Sequence, residues 1–430
     1  METRKKVAVL GLRDTGYRSA LFLAGRGYQV FASDNSSARD ILSNVESLRD
    51  QGIEAECGRH TREKIFNQDW VLVSPGIPPS CEIYQEIRAA GKPVYSEIEV
   101  ASWFNRSGCI VAVTGSCGKT TTATLIARLL DAGGRRAVLC GNIGNPWIGE
   151  LSRIGPETVV VLELSSFQLM HCVSFVPDIG LLLNIYPNHM DWHADMHEYA
   201  GAKLNLFRAM GPSGLMICRK ADEARFFPGF RTYARRVYFD QRPAPNPNEA
   251  ALLCVAEALD CSGDLARKVI DEFGGIEHRL EKFAHKDGVD FINDSKATTT
   301  ASLAWALEKY PDRKVVLVCG GKLKTDIKDF EALREIVSRT VRCAILIGSA
   351  RPVIKAAWQG ATEILDAGDL EEACRLSLEK CRAGDTVILS PACSSFDMFK
   401  DYRERGRVFK ETILSKLKTE PACRVRGSGH

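Results

Sequence analysis

The sequence predicts an α/β protein of three successive domains, each organised around a parallel sheet. Three observations carry that reading. The chain has 430 residues, room for three domains at about 100–200 residues each. Apolar runs of strand length alternate with helix-period patterns from end to end. Polar turns recur at the carboxyl ends of the predicted strands, where ligands bind in open parallel sheets.

The first domain is expected over residues 1–106. Lys6–Leu10 (KVAVL) reads as a buried strand, Gly11–Gly16 as a turn and Tyr17–Arg26 as a helix. Tyr28–Ala32 is a second strand ending at Ser33-Asp34-Asn35, and Trp70–Val73 is another, ending at Ser74-Pro75-Gly76. The second domain, 107–275, opens with the strand Cys109–Val113, turns through Thr114–Thr120 and continues with helical periodicity over Thr121–Asp131. Ala137–Cys140, Thr158–Glu163 and Ile179–Ile185 are its further strands. The run Arg242–Pro247 has three prolines and reads as a loop entering a helix near Asn248. The third domain, 276–430, carries strands at Val289–Ile292, Lys314–Cys319, Cys343–Ile347 and Thr386–Ser390. Beyond Lys418 the polar tail is expected to fray.

Composition removes several function classes. Lys and Arg total 57 against 54 Asp and Glu, a net charge of +3, which argues against a dedicated nucleic-acid binder, where a basic stripe is the norm. No apolar run reaches the ~18 residues of a membrane span. The N-terminal run Val7–Leu12 is too short for a secretory signal, so a cytoplasmic protein is expected. Among the 15 cysteines no two form a C-x-x-C pair. They read as reduced thiols rather than a zinc ribbon or a disulfide framework.

The strongest chemical signal is Gly115-x-x-Gly118-Lys119-Thr120 between a predicted strand and helix. Glycines let backbone amides close around phosphate oxygens, and the helix N-terminus adds partial positive charge. Lys119 can reach β- and γ-phosphates, and the Thr120 hydroxyl can ligate Mg²⁺. The strict G-x-x-x-x-G-K-[ST] spacing is not met, because position 113 is valine. Gly11 to Gly16 is a partial G-x-G-x-x-G fingerprint in which Arg13 replaces the middle glycine; a plain turn explains it equally well. Glu163 ends the strand TVVVLE, either as a Mg²⁺ ligand beside the phosphate turn or as a helix-start acid with no metal. His189, His193 and His197 are spaced by four, but Pro187 and the absence of HExxH fit zinc poorly, and each reads singly as a surface or turn residue. Lys203 in GAKLNLF reads by itself as a solvated helix lysine. In the third domain, His278–Glu281, Asn293–Thr298, Gly320–Lys324 and Ser390–Phe396 are four polar stretches around strand ends. Each alone passes for a turn; together they suggest a ligand site.

These stretches together resemble the Mur ligase family, the ATP-dependent amino-acid ligases of peptidoglycan precursor synthesis. The resemblance rests on VTGSCGKTTT, GNIG, LELSSFQL, GIEHRLE, INDSKAT and SPACSSFDMF and spans nearly the whole chain. It implies a Rossmann-like N-terminal domain, a central P-loop ATPase domain with a parallel sheet and a Rossmann-like C-terminal domain. The SPGI turn at Ser74–Ile77, with INDSKAT and SPACSS, resembles the branch that adds D-glutamate to UDP-N-acetylmuramoyl-L-alanine.

Residue by residue, the resemblance implies an ATP site of Gly115, Ser116, Cys117, Gly118, Lys119, Thr120, Thr121, Asn248, Arg279, Asp294 and Lys296. Asn248 would face adenine, although the second asparagine common three residues earlier is here Pro245. Lys203 falls where these ligases carry a lysine carbamylated by CO₂, and two Mg²⁺ sites would draw on Thr120, Glu163, His189 and the Lys203 carbamate. The uridine nucleotide would use Leu12, Thr15, Asp34, Ser74 and Gly76, with Asn142, Ser165 and His189 nearer the reacting end. D-glutamate would meet Thr298, Lys324, Ser395, Phe396 and Tyr402. Cys117 stands where an asparagine is common, so the turn is expected to be thiol-sensitive.

The chemistry implied is attack of the L-alanyl carboxylate on the γ-phosphate, then of the D-glutamate amine on the acyl phosphate. Lys119, Arg279 and Lys296 would offset charge on the transferring group. Sites on three domains imply closure, with 242–247 and Gly274-Gly275 as hinge candidates. A monomer is expected. Folylpolyglutamate synthase, the nearest rival, opens close to its P-loop, whereas about a hundred residues precede Lys119 here. A dehydrogenase is disfavoured by Arg13, and a binding protein without turnover has no need of the metal and carbamate residues.

Overall fold

The computed structural model describes residues 5–188, 190, 192–244, 247–273, 275–310, 314–323 and 327–419. His189, Pro245, Gly274, Lys324 and the tail from 420 lie outside the described residues. The chain divides into two compact units, Met1–Glu272 and Phe273–His430.

Unit one holds two sheets. The first contains β1 (Lys6–Leu10), β2 (Gln29–Ser33), β3 (Glu54–Glu56), β4 (Trp70–Val73) and β5 (Val94–Tyr95), in the order β3-β2-β1-β4-β5. All its pairings are parallel. The order reverses at β1/β4, so the turns after these strands face one crevice. The second sheet contains β6 (Cys109–Thr114), β7 (Ala137–Gly141), β8 (Val159–Glu163), β9 (Ile179–Leu182), β10 (Leu215–Cys218) and β11 (Arg235–Tyr238), in the order β11-β10-β9-β6-β8-β7. It too is parallel throughout. Its central strands are continuous apolar runs because both faces are covered: Val111, Ala112, Val160 and Val161 are fully buried.

Unit two is one sheet of β12 (Glu281–Lys286), β13 (Val289–Asn293), β14 (Val315–Gly320), β15 (Val341–Ile347), β16 (Glu363–Asp366) and β17 (Thr386–Leu389), ordered β12-β13-β17-β14-β15-β16. Here the expectation of parallel pairing throughout fails: β12 runs antiparallel to β13. The link is the two-residue turn Asp287-Gly288, both at positive φ (52° and 74°), the geometry that suits a tight hairpin. β12 is an edge strand whose sequence EKFAHK leaves charges in solvent, so no apolar run announces it.

Candidate active site

The phosphate-type turn sits between β6 and the helix Lys119–Ala132, with Gly118 as its N-cap at φ 81°. That left-handed φ strains any residue with a side chain. A Cβ would meet the Asn248 carboxamide oxygen at 2.9 Å, which also places Asn248 against the turn. Thr121 stands in the first turn of the helix. The Lys119 Nζ donates to the carbonyls of Gly115 (2.8 Å) and Ser116 (3.1 Å).

A residue that the motif reading did not single out shapes this turn. Asn184 Oδ1 accepts from the amides of Ser116 (3.1 Å) and Cys117 (2.9 Å), and its Nδ2 donates to the Cys117 carbonyl (3.1 Å). The Ser116 hydroxyl pairs with the Tyr199 hydroxyl at 2.9 Å and accepts from the Tyr186 amide at 2.9 Å. The asparagine was visible in GLLLNIYPNHM, but a carboxamide at a strand end carries no signature of its own.

Lys203 departs from the solvated lysine that its sequence context suggested: it is 1 % exposed. Helix Met196–Arg208 turns it inward, where Nζ donates to the Gly115 carbonyl at 3.0 Å and lies 4.6 Å from the Tyr199 ring centroid. Burial, with Lys119 nearby, presses its amine well below the ordinary lysine range. His193 is likewise buried rather than a surface or turn residue. Its Nε2 lies 2.9 Å from the Ser166 hydroxyl, and its ring packs against Phe167 and Tyr199. His197 is exposed.

Glu163 is paired in register with Val113, at the end of the strand that feeds the turn. Its Oε1 accepts from Asn142 Nδ2 at 2.8 Å. Its Oε2, and the Thr120 Oγ1, are buried without a hydrogen-bond partner among the described residues. Buried polar atoms are seldom orphaned. Two hard oxygens left open beside a phosphate turn fit a divalent cation such as Mg²⁺.

A cavity of about 710 Å³ joins the two sheets of unit one. Thr15, Asp34, Ser74 and Gly76 line it from the first sheet, Asn142 and Gln168 from the second. Gly16 keeps the first turn tight: a Cβ there would stand 1.8 Å from the Gly11 carbonyl oxygen. The Asp34 carboxylate is already engaged, accepting from the amides of Leu12 (2.7 Å) and Ser36 (2.8 Å). Leu12 itself is fully buried and is absent from the lining. Ser165 also stands outside it, as N-cap of helix Ser166–Met170 in a capping box with Gln168.

In unit two the polar turns gather at the carboxyl ends of β13, β14 and β17. Asp294 is buried, accepting from the Leu280 amide (3.1 Å) and the Ser390 hydroxyl (2.8 Å); burial pushes its pKa up to about 7. Lys296 Nζ lies 4.8 Å from the Tyr402 ring centroid. Arg279 and Thr298 are half-buried, Ser395 is buried and Phe396 is 67 % exposed. His278, Leu280 and Ala392 all sit at positive φ (65°, 45° and 56°). Strained non-glycine backbone tends to mark functional turns.

The turns of unit two are tied by Arg405, fully buried on helix Tyr402–Thr419. Its guanidinium donates to the Ser295 hydroxyl (3.0 Å) and carbonyl (2.8 Å) and to the Cys393 carbonyl (3.2 Å). Desolvation lowers its pKa to about 10. Nothing in YRERGR separates this arginine from its solvated neighbours, since arginine is seldom fully buried unless paired.

Comparison with known proteins agrees across the chain. Residues 5–96 match the Mur ligase MurD-like N-terminal domain, 113–236 the Mur ligase middle domain and 278–393 the Mur ligase glutamate ligase domain. The chain is 36 % identical to UDP-N-acetylmuramoylalanine--D-glutamate ligase of Chlorobaculum parvum, over 95 % of this chain and 97 % of the relative. The protein of the same name from Koribacter versatilis is 34 % identical over 97 % and 98 %. Among solved structures, MurF ligase from Thermotoga maritima in complex with ADP aligns at TM-score 0.59 and 16 % identity, covering 97 % of this chain and 96 % of that one. UDP-N-acetylmuramate-alanine ligase MurC from the same organism aligns at 0.56 and 16 %, covering 96 % and 99 %; both likenesses speak to the fold.

Proposed function

The chain belongs to the Mur ligase family, and from that premise we propose that it is an ATP-dependent ligase joining D-glutamate to UDP-N-acetylmuramoyl-L-alanine in cytoplasmic peptidoglycan precursor synthesis. The observation that carries the reading is a convergence at neighbouring strand ends. A glycine–lysine phosphate turn, an acid with an open oxygen and a buried lysine meet at β6 and β8, on the sheet that helps to form a cavity of about 710 Å³.

In this reading the amides opening helix Lys119–Ala132 receive the ATP phosphates, with the Lys119 ammonium against the β- and γ-oxygens. Thr120, Glu163, His189 and Lys203 are the residues that would hold Mg²⁺, which supplies charge stabilisation to phosphoryl transfer when bound. Lys203 suits carbamylation because CO₂ adds to a neutral amine, and burial favours that form. Asn142 fixes the orientation of Glu163. Thr15, Asp34, Ser74, Gly76 and Asn142 line the pocket for the uridine nucleotide, whose L-alanyl carboxylate attacks the γ-phosphorus to give an acyl phosphate and ADP. Arg279 and Lys296 are assigned to the charge of the transferring group. Asp294 is assigned to the nucleotide sugar and Asn248 to adenine. Thr298, Lys324, Ser395, Phe396 and Tyr402 are assigned to D-glutamate, whose amine attacks the acyl carbon and releases phosphate. No protein nucleophile takes part.

ADP release with UDP-N-acetylmuramoyl-L-alanine and a panel of amino acids tests this. D-glutamate should support release; release with L-lysine or diaminopimelate and none with D-glutamate would refute the specificity.

A further inference from the structure

The helix Glu97–Ser102 connects the last strand of the first sheet to the first strand of the second, and it carries two buried carboxylates that the reaction does not use. Glu99 accepts from five donors: the amides of Val173 (2.9 Å), Ser174 (3.0 Å) and Phe175 (2.9 Å), the Ser174 hydroxyl and Trp103 Nε1 (3.2 Å). Trp103 in turn packs edge-on against Trp70 and Tyr95, on β4 and β5. One carboxylate thus joins the first sheet to a loop of the second. Glu97 Oε1 accepts from the Ile148 amide at 2.6 Å. Just before them, the Ser96 amide donates to the His171 carbonyl.

The two gripped segments are neighbours of the cavity wall. Val173–Phe175 follows helix Ser166–Met170, which carries Gln168 into the cavity; Ile148 follows the turn that contributes Asn142, Gly144 and Pro146. We propose that Glu99, seconded by Glu97, is a positioning residue that presets the sugar-nucleotide cavity by fixing its second-sheet wall against its first-sheet wall. Five donors crowd the roughly four lone-pair sites of one carboxylate, and its shared negative charge suits a set made only of donors. An amide at position 99 turns an NH₂ toward backbone amides or the Trp103 indole, none of which can accept it.

The inference rests on the proposed sugar-nucleotide site, and its test separates the two. UDP-N-acetylmuramoyl-L-alanine and ADP are titrated by calorimetry into the full chain and into Glu99→Gln, each ligand alone and in the presence of the other. Glu99→Gln should bind the sugar nucleotide about tenfold or more weakly, with ADP affinity within about twofold of the parent. Ser174→Ala, which removes one donor and spares the fold, should show the same selectivity at about two- to threefold, and it carries the test if Glu99→Gln does not fold. Equal weakening of both ligands, or none, overturns the proposal. If the parent fails to bind the sugar nucleotide, the functional reading falls. Amide exchange then decides the clamp: faster exchange in Glu99→Gln at Val173–Phe175, with β8 unchanged, is the expected result, and unaltered protection there refutes it.

Discussion

Replacing Glu97 by glutamine isolates the energetic effect of one buried charge. Glu97 is 1 % exposed; burial raises its pKa from 4.5 to about 7, against the opposing pull of the Ile148 amide. The folded-state value lies above the unfolded one, so the native protein holds its proton more tightly. Below pH 4.5 both states are protonated and the group is neutral to stability. As pH rises through 4.5 to 7, the unfolded chain ionises first and folding loses ground. Above pH 7 the loss is complete, at about 3 kcal/mol for a shift of this size. Of this, about 1 kcal/mol is already present at pH 5, so moving from pH 5 to pH 8 adds about 2 kcal/mol. Glutamine keeps a carbonyl for Ile148 and cannot ionise. Its NH₂ replaces Glu97 Oε2, which has no hydrogen-bond partner among the described residues, and that penalty is the same at both pH values. Stability of parent and Glu97→Gln is measured by urea unfolding at pH 5 and pH 8, read by amide exchange of peptides from Met1–Glu272. The variant should gain on the parent by about 2 kcal/mol between the two pH values. Parallel pH profiles would show that ionising Glu97 carries no folding penalty and would refute the reasoning.

Lys203→Ala should abolish ADP release, with partial recovery on adding a short carboxylate; ¹³C-bicarbonate should give a carbamate resonance in the parent that is missing from the variant, and a fully active variant would exclude the role. Asn184→Asp keeps the acceptor for the Ser116 and Cys117 amides but sets negative charge beside the phosphate turn, so ADP affinity should fall about tenfold while calorimetry shows the sugar nucleotide unaffected. Alkylation of Cys117, confirmed by mass spectrometry, should inactivate the enzyme and be slowed by ATP. Arg405→Met leaves the Ser295 and Cys393 carbonyls without the guanidinium, and chemical unfolding of unit two should report a loss of about 2–4 kcal/mol.

The parallel core was legible because strands buried on both faces are uninterrupted apolar runs: Lys6–Leu10 and Trp70–Val73 lie where the sequence pattern puts them. Short or edge strands were not. β3 has three residues and β5 two, and β12 and β16 mix charge with apolar positions. The same limit holds at the site. The glycine–lysine turn declares itself through spacing, since glycine conformation and lysine reach are local. Lys203 and Arg405 do not, because burying a long cation depends on what the rest of the fold brings to it: the Gly115 carbonyl and Tyr199 ring for one, Ser295 and Cys393 for the other. Glu99 is silent for the same reason, four of its five donors lying more than seventy residues downstream.

Lys119, turned back onto the carbonyls of Gly115 and Ser116, has one further consequence. Under the proposed function, nucleotide binding is an exchange of partners, in which a phosphate displaces these carbonyl oxygens from the ammonium. In the proposed ATP site a polyphosphate would engage the ammonium and the helix amides together, so binding would swing the Lys119 side chain off its own turn.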